Sequence, residues 1–297
     1  GRFFGALRKN GVNIRAISEG SSERNITAVI ASKDVKKAIN VIHEAFFEKE
    51  IKEIHLFIAG VGNVGSKLLE QLKQQQDYLM QNLRMKIKLA GIANSKKQYV
   101  NEEGISLNDW PELLQQGNNA GIDDFVSRII QLNLRNTVFA DVTANETVAT
   151  VYNRLLEKTI AVVACNKIAC SSSYDYYSTL KDTSKEYSAK FLFETNVGAS
   201  LPIIGTLNDL LRSGDRVNEM QAVLSGTLNF VFNNYDGKRK FASVVKQAQE
   251  EGYTEPDPRL DLSGKDVMRK IMILAREAGN VMEMEDISNN GFMPEEC

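Results

Sequence analysis

Asp266 and Lys270, an acid and an amine four residues apart, follow closely on Glu255, Asp257 and Asp261. Side chains of these types can hold a substrate ammonium, orient a cation and pass a proton to a developing oxyanion. Pro256 and Pro258 bias the residues before them toward extended dihedrals, which places Glu255 and Asp257 on an extended loop. Ser263 then reads as an N-cap. Beyond it Val267, Met268, Ile271, Met272, Leu274 and Ala275 recur at helical spacing, so Asp266 and Lys270 share one side of a helix. The same pattern is also that of a capping box and of an ordinary helix ion pair worth roughly 0.2–0.5 kcal/mol.

A second group has the chemistry of phosphate binding. Gly60-Val61-Gly62-Asn63-Val64-Gly65 follows the apolar run Ile54–Ala59 and opens a helix, the context a GxGxxG loop requires. Gly60 suits the tight turn, Gly62 the approach of a pyrophosphate, and Gly65 close packing of helix on strand. The next strand ends in Asn94, Ser95, Lys96 and Lys97 with no acid for a ribose hydroxyl, which favours the 2′-phosphate of NADP and leaves NAD open. Thr143 follows the strand at Thr137–Val142, on the carboxyl edge where ligands of open α/β sheets collect; Thr143 or Asn145 can equally cap the helix that follows. Lys167 lies just past the strand Ile160–Ala164, on the same edge.

The elements that position these residues divide the chain into three. Residues 51–195 alternate strand-like runs, including Lys86–Ala93, with helical stretches at Ser66–Leu79 and Glu146–Lys158, the rhythm of a Rossmann-type, doubly wound parallel sheet. The Gln-rich piece Gln71–Gln81 reads as a loop tip or a helix end. Residues 1–50 read as a helix at Arg2–Lys9, strands at Val12–Ile17 and Ile26–Ala31, and a helix at Val35–Phe47, a small α+β unit. Residues 196–297 are expected to form a second α+β domain for the substrate.

Composition limits the partners. At 297 residues, 43% hydrophobic and 25% charged, the chain reads as a soluble globular protein of about two domains. A net charge of -2 with signs mixed along the chain gives no footprint for nucleic acid or an anionic membrane. There is no apolar run of ~18 residues and no secretory leader, so a cytoplasmic location is expected. Cys165, Cys170 and Cys297 are odd in number, which argues for free thiols; with only His43 and His55 beside them, a zinc or iron site is not expected.

Several of these runs resemble one family. Thr254-Glu-Pro-Asp-Pro followed by Asp261-Leu-Ser-Gly-Lys-Asp-Val-Met-Arg-Lys270 resembles the substrate-binding signature of homoserine dehydrogenases, with Leu260 where many members have a second Asp. Asn166-Lys167, Glu194-x-x-Val197-Gly-Ala199-x-Leu201-Pro and Ser225-Gly226-Thr227 are similar to further family motifs; Ser200 stands where members commonly have Gly. The resemblance covers residues 51–297. It implies reversible hydride transfer between NADPH and aspartate 4-semialdehyde, giving homoserine for threonine and methionine biosynthesis. Lys270 and Lys167 become the cations at the reacting carbonyl and Asp266 their orienter. Glu255 takes the substrate ammonium with Asp261 in support, and Gly226 and Thr227 form a substrate-side turn. Thr143 sits beside the cofactor, and oxygens of Glu194, Val197, Ala199 and Leu201 hold a monovalent cation such as Na+. Residues 1–50 resemble the tail of an ACT-type regulatory domain, as at the junction of bifunctional aspartokinase/homoserine dehydrogenases, which implies a homo-oligomer in the full-length protein. Family members continue beyond the equivalent of Phe292, so the substrate domain is expected to be incomplete and these residues alone to turn over little or not at all. A regulatory fragment that senses threonine is the alternative.

Overall fold

The segment from His55 to Ala59 is buried throughout, as a strand covered by helices on both faces must be. In the computed structural model, residues 1–19, 25–46, 51–119, 121–254 and 257–291 are described. They fall into two compact units, the first made of Gly1–Asn166 and Ser178–Leu192, the second of Lys167–Tyr177 and the chain from Phe193 onward.

The first unit opens with helix α1 (Arg2–Lys9), strands β1 (Ile14–Glu19) and β2 (Ile26–Ile30), and helix α2 (Val35–Phe46). The two strands pair antiparallel, and Leu7, Val12, Ala38 and Val41 form a small core with Ile14 and Ile30. Next come β3 (Lys52–Ala59), α3 (Asn63–Leu83), β4 (Met85–Ala93), β5 (Lys97–Val100), β6 (Asn118–Asn119), β7 (Thr137–Asp141), β8 (Ala161–Ala164) and β9 (Phe191–Leu192). Their order across the sheet is β6-β5-β4-β3-β7-β8-β9. All pairs are parallel except those of β5 and β6. The connections leave β3 toward β4 on one side and reach β7 on the other, so the topological switch lies at the carboxyl ends of β3 and β7, where open α/β sheets bind ligands.

Two helix expectations change. Gln71–Gln81 lies wholly within α3, whose exposed polar residues need no core contact to stay helical. Glu146–Lys158 is not one helix but two short ones, Glu146–Ala149 and Tyr152–Leu156, interrupted at Thr150 and Val151. Tyr152 is thereby fully buried in a row of rings, Phe57, Phe125, Phe139, Tyr152 and Phe191, with successive centroids 6.2, 6.4, 6.4 and 5.9 Å apart.

The segment Asn133–Asn136, which leads into β7, is fastened to the N-terminal α+β unit. Asn133 and Asn136 are left-handed, at φ 45° and 48°. Asn133 donates to Asp34 (2.8 Å) and accepts from Lys37 (2.9 Å). Arg135 pairs with Glu44 at 3.4 Å, and the Asn136 side chain donates to Glu44 Oε1 at 3.2 Å. Burial pushes the Lys37 ammonium down to about 8, against the opposing charge of Asp34. Between about 8 and the unfolded value of 10.5 the folded chain holds fewer protons than the unfolded one, so this group favours folding increasingly as pH rises through that window. The melting temperature of the wild type minus that of Lys37→Met should therefore climb across that interval. A flat difference would discard this account of Lys37.

The second unit contains helices at Ile203–Arg212, Gly226–Asn234, Phe241–Glu250, Pro258–Leu262 and Lys265–Glu277. Its described residues include no strand, where the sequence suggests α+β; the stretch around Ala222–Leu224 has no neighbouring strand with which to pair. Its core is anchored by Arg276, which donates to the carbonyls of Cys170 (2.9 Å) and Met282 (2.8 Å) and to Glu283 (2.8 Å). Tyr174 and Tyr177 lie against the same guanidinium.

Candidate active site

Asp266 bridges two lysines within the second unit. Its Oδ2 accepts from Lys270 at 2.7 Å and its Oδ1 pairs with Lys167 at 3.3 Å. Lys270 also donates to the Leu224 carbonyl at 2.7 Å, which ties the pair to the segment that starts the Gly226–Asn234 helix. Burial alone would raise the Asp266 carboxyl, but the Lys270 hydrogen bond and the charges of both lysines outweigh it and hold the group below its usual range. Asp266 therefore stays ionised at neutral pH, and the stabilisation it contributes is lost only as pH falls through that depressed value.

The helix carrying this pair begins differently from expectation. Gly264, at φ 74°, is its N-cap, and Ser263 instead ends the short Pro258–Leu262 helix. A left-handed glycine reverses the chain between two helices more readily than a capped serine can. Asp257 caps the short helix by accepting from the Arg259 amide at 3.0 Å, and its hydrogen bonds to the Arg259 side chain and amide hold its carboxyl below the usual carboxylate range. Asp261 lies inside that helix. Glu255 lies outside the described residues.

Gly226 and Thr227 do not form a turn; they open a helix that Ser225 caps, its hydroxyl accepting from Leu228 at 3.0 Å. Thr227 is 4% exposed, and its hydroxyl lies against the Tyr253 carbonyl and, at 3.0 Å, Asp261 Oδ1. It faces inward, with Asp261 as its side-chain partner. Lys167, Asp266, Lys270 and the Leu224 carbonyl thus form one linked group, and Thr227, Asp261 and the Tyr253 carbonyl form another.

At Glu194 both carboxylate oxygens accept from amides at the start of the Ile203–Arg212 helix, Ile204 (2.8 Å) and Gly205 (2.7 Å). Gly198 and Ala199 take left-handed backbones at φ 79° and 52°, folding the 197–201 segment back on itself. No cluster of three or more His, Cys, Asp or Glu side chains able to hold a metal occurs among the described residues.

The glycine loop belongs to the first unit. Gly60 is left-handed (φ 96°), and a Cβ there would meet the Val142 carbonyl at 2.7 Å; a Cβ on Gly65 would lie 2.0 Å from the Gly60 carbonyl. Gly62 differs: its backbone is extended and, among the described residues, no atom beyond its chain neighbours comes within 4 Å of a Cβ there, leaving that side of the loop open to a ligand. No side chain caps α3, so the amides of Asn63, Val64 and Gly65 at its start are available to phosphate oxygens. Val61 packs on the sheet core while Val64 is exposed. Asn94, Ser95 and Lys96 form the β4–β5 turn, in which the Asn94 side chain accepts from the amides of Lys96 (2.8 Å) and Lys97 (2.7 Å). The helix cap falls to Asn145, which accepts from Val148 at 3.2 Å, so Thr143 is not needed as a cap.

Three residues beside Thr143 had no role assigned from sequence, although Asn166 stands in the Asn166-Lys167 motif. Asp141 ends β7 fully buried, with Tyr152 Oη at 2.5 Å and Asn166 Nδ2 at 2.9 Å on one oxygen and the Thr143 amide at 2.8 Å on the other. The available signal was an acid closing an otherwise apolar strand two residues before a threonine.

Fold and glycine loop together define a Rossmann-type dinucleotide-binding domain. Residues 60–194 match the model of the homoserine dehydrogenase NAD-binding domain and residues 202–294 that of homoserine dehydrogenase, while residues 1–46 match an ACT domain. The chain belongs to the homoserine dehydrogenase family. It is 40% identical to a bifunctional aspartokinase/homoserine dehydrogenase of Haemophilus influenzae over 99% of its own length and 36% of that protein's. A Candida auris protein of unknown function superimposes with a TM-score of 0.71 at 30% identity, covering 82% of this chain and 69% of that one. A hyperthermophilic archaeal homoserine dehydrogenase in complex with NADPH shares the fold, with a TM-score of 0.66 at 23% identity over 77% of this chain and 71% of that one. The chain spans about a third of the length of the curated relatives it matches, 36% and 32% for the first two. No described helix is long and apolar enough to cross a membrane.

Proposed function

We propose that this chain carries out the reversible interconversion of aspartate 4-semialdehyde and L-homoserine with a nicotinamide dinucleotide. The observation that carries the reading is Asp266 shared between Lys270 and Lys167, in a chain that also holds a well-packed GxGxxG loop. Gly60 to Gly65 hold the pyrophosphate through backbone amides, and Thr143 lies at the adjoining edge. The dinucleotide, when bound, supplies or accepts the hydride. The side chains do the rest. As the carbonyl carbon gains hydride, its oxygen acquires negative charge, and the two ammonium groups stabilise that charge. Lys270 passes a proton to the oxygen and is left as a neutral amine that water reprotonates; in the reverse direction it takes the alcohol proton. Asp266 keeps both cations in place, while Glu255 receives the substrate ammonium with Asp261 in support.

The turn at Asn94, Ser95 and Lys96, which lacks a carboxylate, supports NADP over NAD. A monovalent cation such as Na+ would be held by oxygens of the Glu194–Leu201 segment, with main-chain carbonyls of Val197, Ala199 and Leu201 leading because the Glu194 carboxylate already holds the next helix. An oxygen-only donor set suits a hard cation. The test is homoserine-dependent reduction of NADP, with NAD in parallel, by the full-length protein; a correctly folded protein that reduces neither would refute the dehydrogenase reading.

A further inference from the structure

We propose that Asp141 is a positioning residue for the dinucleotide, acting through Thr143 and Asn166. The inference rests on the dehydrogenase reading above. Asp141 is 0% exposed and has no cation within ion-pair distance among the described residues. A buried carboxylate in that setting is costly unless its lone pairs are filled by donors. Here three donors fill them, and the elements they come from are telling. The Thr143 amide on Oδ1 fixes the loop immediately after β7. Asn166 on Oδ2 reaches back to the same loop, donating also to the Asn145 carbonyl at 3.0 Å and to Thr143 Oγ1 at 3.5 Å.

The hydroxyl of Thr143 shows what this achieves. Its oxygen accepts from the Asn145 amide at 3.2 Å as well as from Asn166. The Asn145 amide fills one lone pair, and the two hydrogens of Asn166 Nδ2 are engaged chiefly by Asp141 and the Asn145 carbonyl, so the hydroxyl proton itself remains available to donate. No acceptor for that proton occurs among the described residues. It is therefore oriented to donate to a ligand oxygen, and the carboxylate of Asp141 sets that polarity at one remove. The acceptor class is a carbonyl or phosphate oxygen of the dinucleotide, bound at the carboxyl edge between β3 and β7. Tyr152, the third donor, belongs to the buried row of rings and contributes packing as well as its hydrogen bond.

Three substitutions in the full-length protein separate positioning from plain stability. Asp141→Asn keeps the shape but turns an N–H toward a donor. Asn166→Ala removes the link to Thr143 and serves if the first variant fails to fold. Tyr152→Phe removes only the phenolic donor. All three should lower the melting temperature of the unliganded protein. In NADPH fluorescence titrations the dissociation constant should rise by about tenfold or more for Asp141→Asn and Asn166→Ala and stay within about twofold for Tyr152→Phe. Unchanged NADPH affinity in folded Asp141→Asn or Asn166→Ala would overturn the proposal, as would an equal loss in Tyr152→Phe, since both outcomes describe a merely structural group. Failure of the wild type to bind NADPH would instead refute the dehydrogenase reading itself.

Discussion

Lys270→Met in the full-length protein should lower kcat for homoserine oxidation by about 10²–10⁴-fold while changing KM little, the signature of a group that acts on the transition state. The expectation follows from its setting. Its side chain is 16% exposed against 31% for Lys167, and it is held between Asp266 and the Leu224 carbonyl at 2.7 Å each. Water cannot easily take the place of that ammonium. Lys167→Met should cost less, because its more open position lets solvent donate in its stead. Asp266→Asn removes the charge that both lysines share and should raise KM and lower kcat together, as the two ammonium groups repel and turn toward solvent. Steady-state kinetics of the three variants decides the matter. A Lys270→Met enzyme with wild-type kcat would exclude Lys270 as the proton donor, and a larger loss in Lys167→Met would transfer that role to it.

Gly65→Ala should abolish measurable NADPH binding and also destabilise the unliganded protein by about 1–3 kcal/mol, the range for forced overpacking. The methyl would lie 2.0 Å from the Gly60 carbonyl. That obstacle is backbone, which has no rotamer in which to yield. Gly62→Ala makes the contrasting case, since its extended backbone accepts alanine and nothing in the protein obstructs the new carbon. Its melting temperature should hold while NADPH affinity falls, because the space it fills is the ligand's. Thermal denaturation alongside NADPH titration distinguishes the pair. Equal thermal stability of Gly65→Ala and Gly62→Ala would contradict the packing read from the structure.

The loop around Gly60–Gly65 was legible in sequence because strand, glycines and helix follow one another directly, so local signals and final geometry coincide. The Asp266–Lys270 pair was legible for the same reason, being set by helical spacing alone. Ser263 was misread because a Ser-Gly pair fits the end of one helix as well as the start of the next, and only the positive φ of Gly264 decides. The break at Thr150 and Val151 was hidden too, since burying Tyr152 among rings contributed from distant segments is a tertiary requirement with no local trace. Thr227 was read as part of a turn but lies in the first turn of a helix, where its hydroxyl reaches Asp261, thirty-four residues away; spacing does not report that partner. The hydrogen bond between Asp141 and Asn166, twenty-five residues apart, was hidden on the same ground.

The left-handed asparagines at 133 and 136 have a consequence for how the chain holds together. Four partners of this segment, Asn10, Asp34, Lys37 and Glu44, come from the first 46 residues, and the N-terminal α+β unit falls with the Rossmann sheet in one compact body. The ACT-like part is thus less a bead on a string than a wedge seated at the foot of β7. A single cut after Phe46 would sever the peptide and leave these contacts standing, so the two pieces would behave as a noncovalent complex, separable by denaturant rather than by dilution alone.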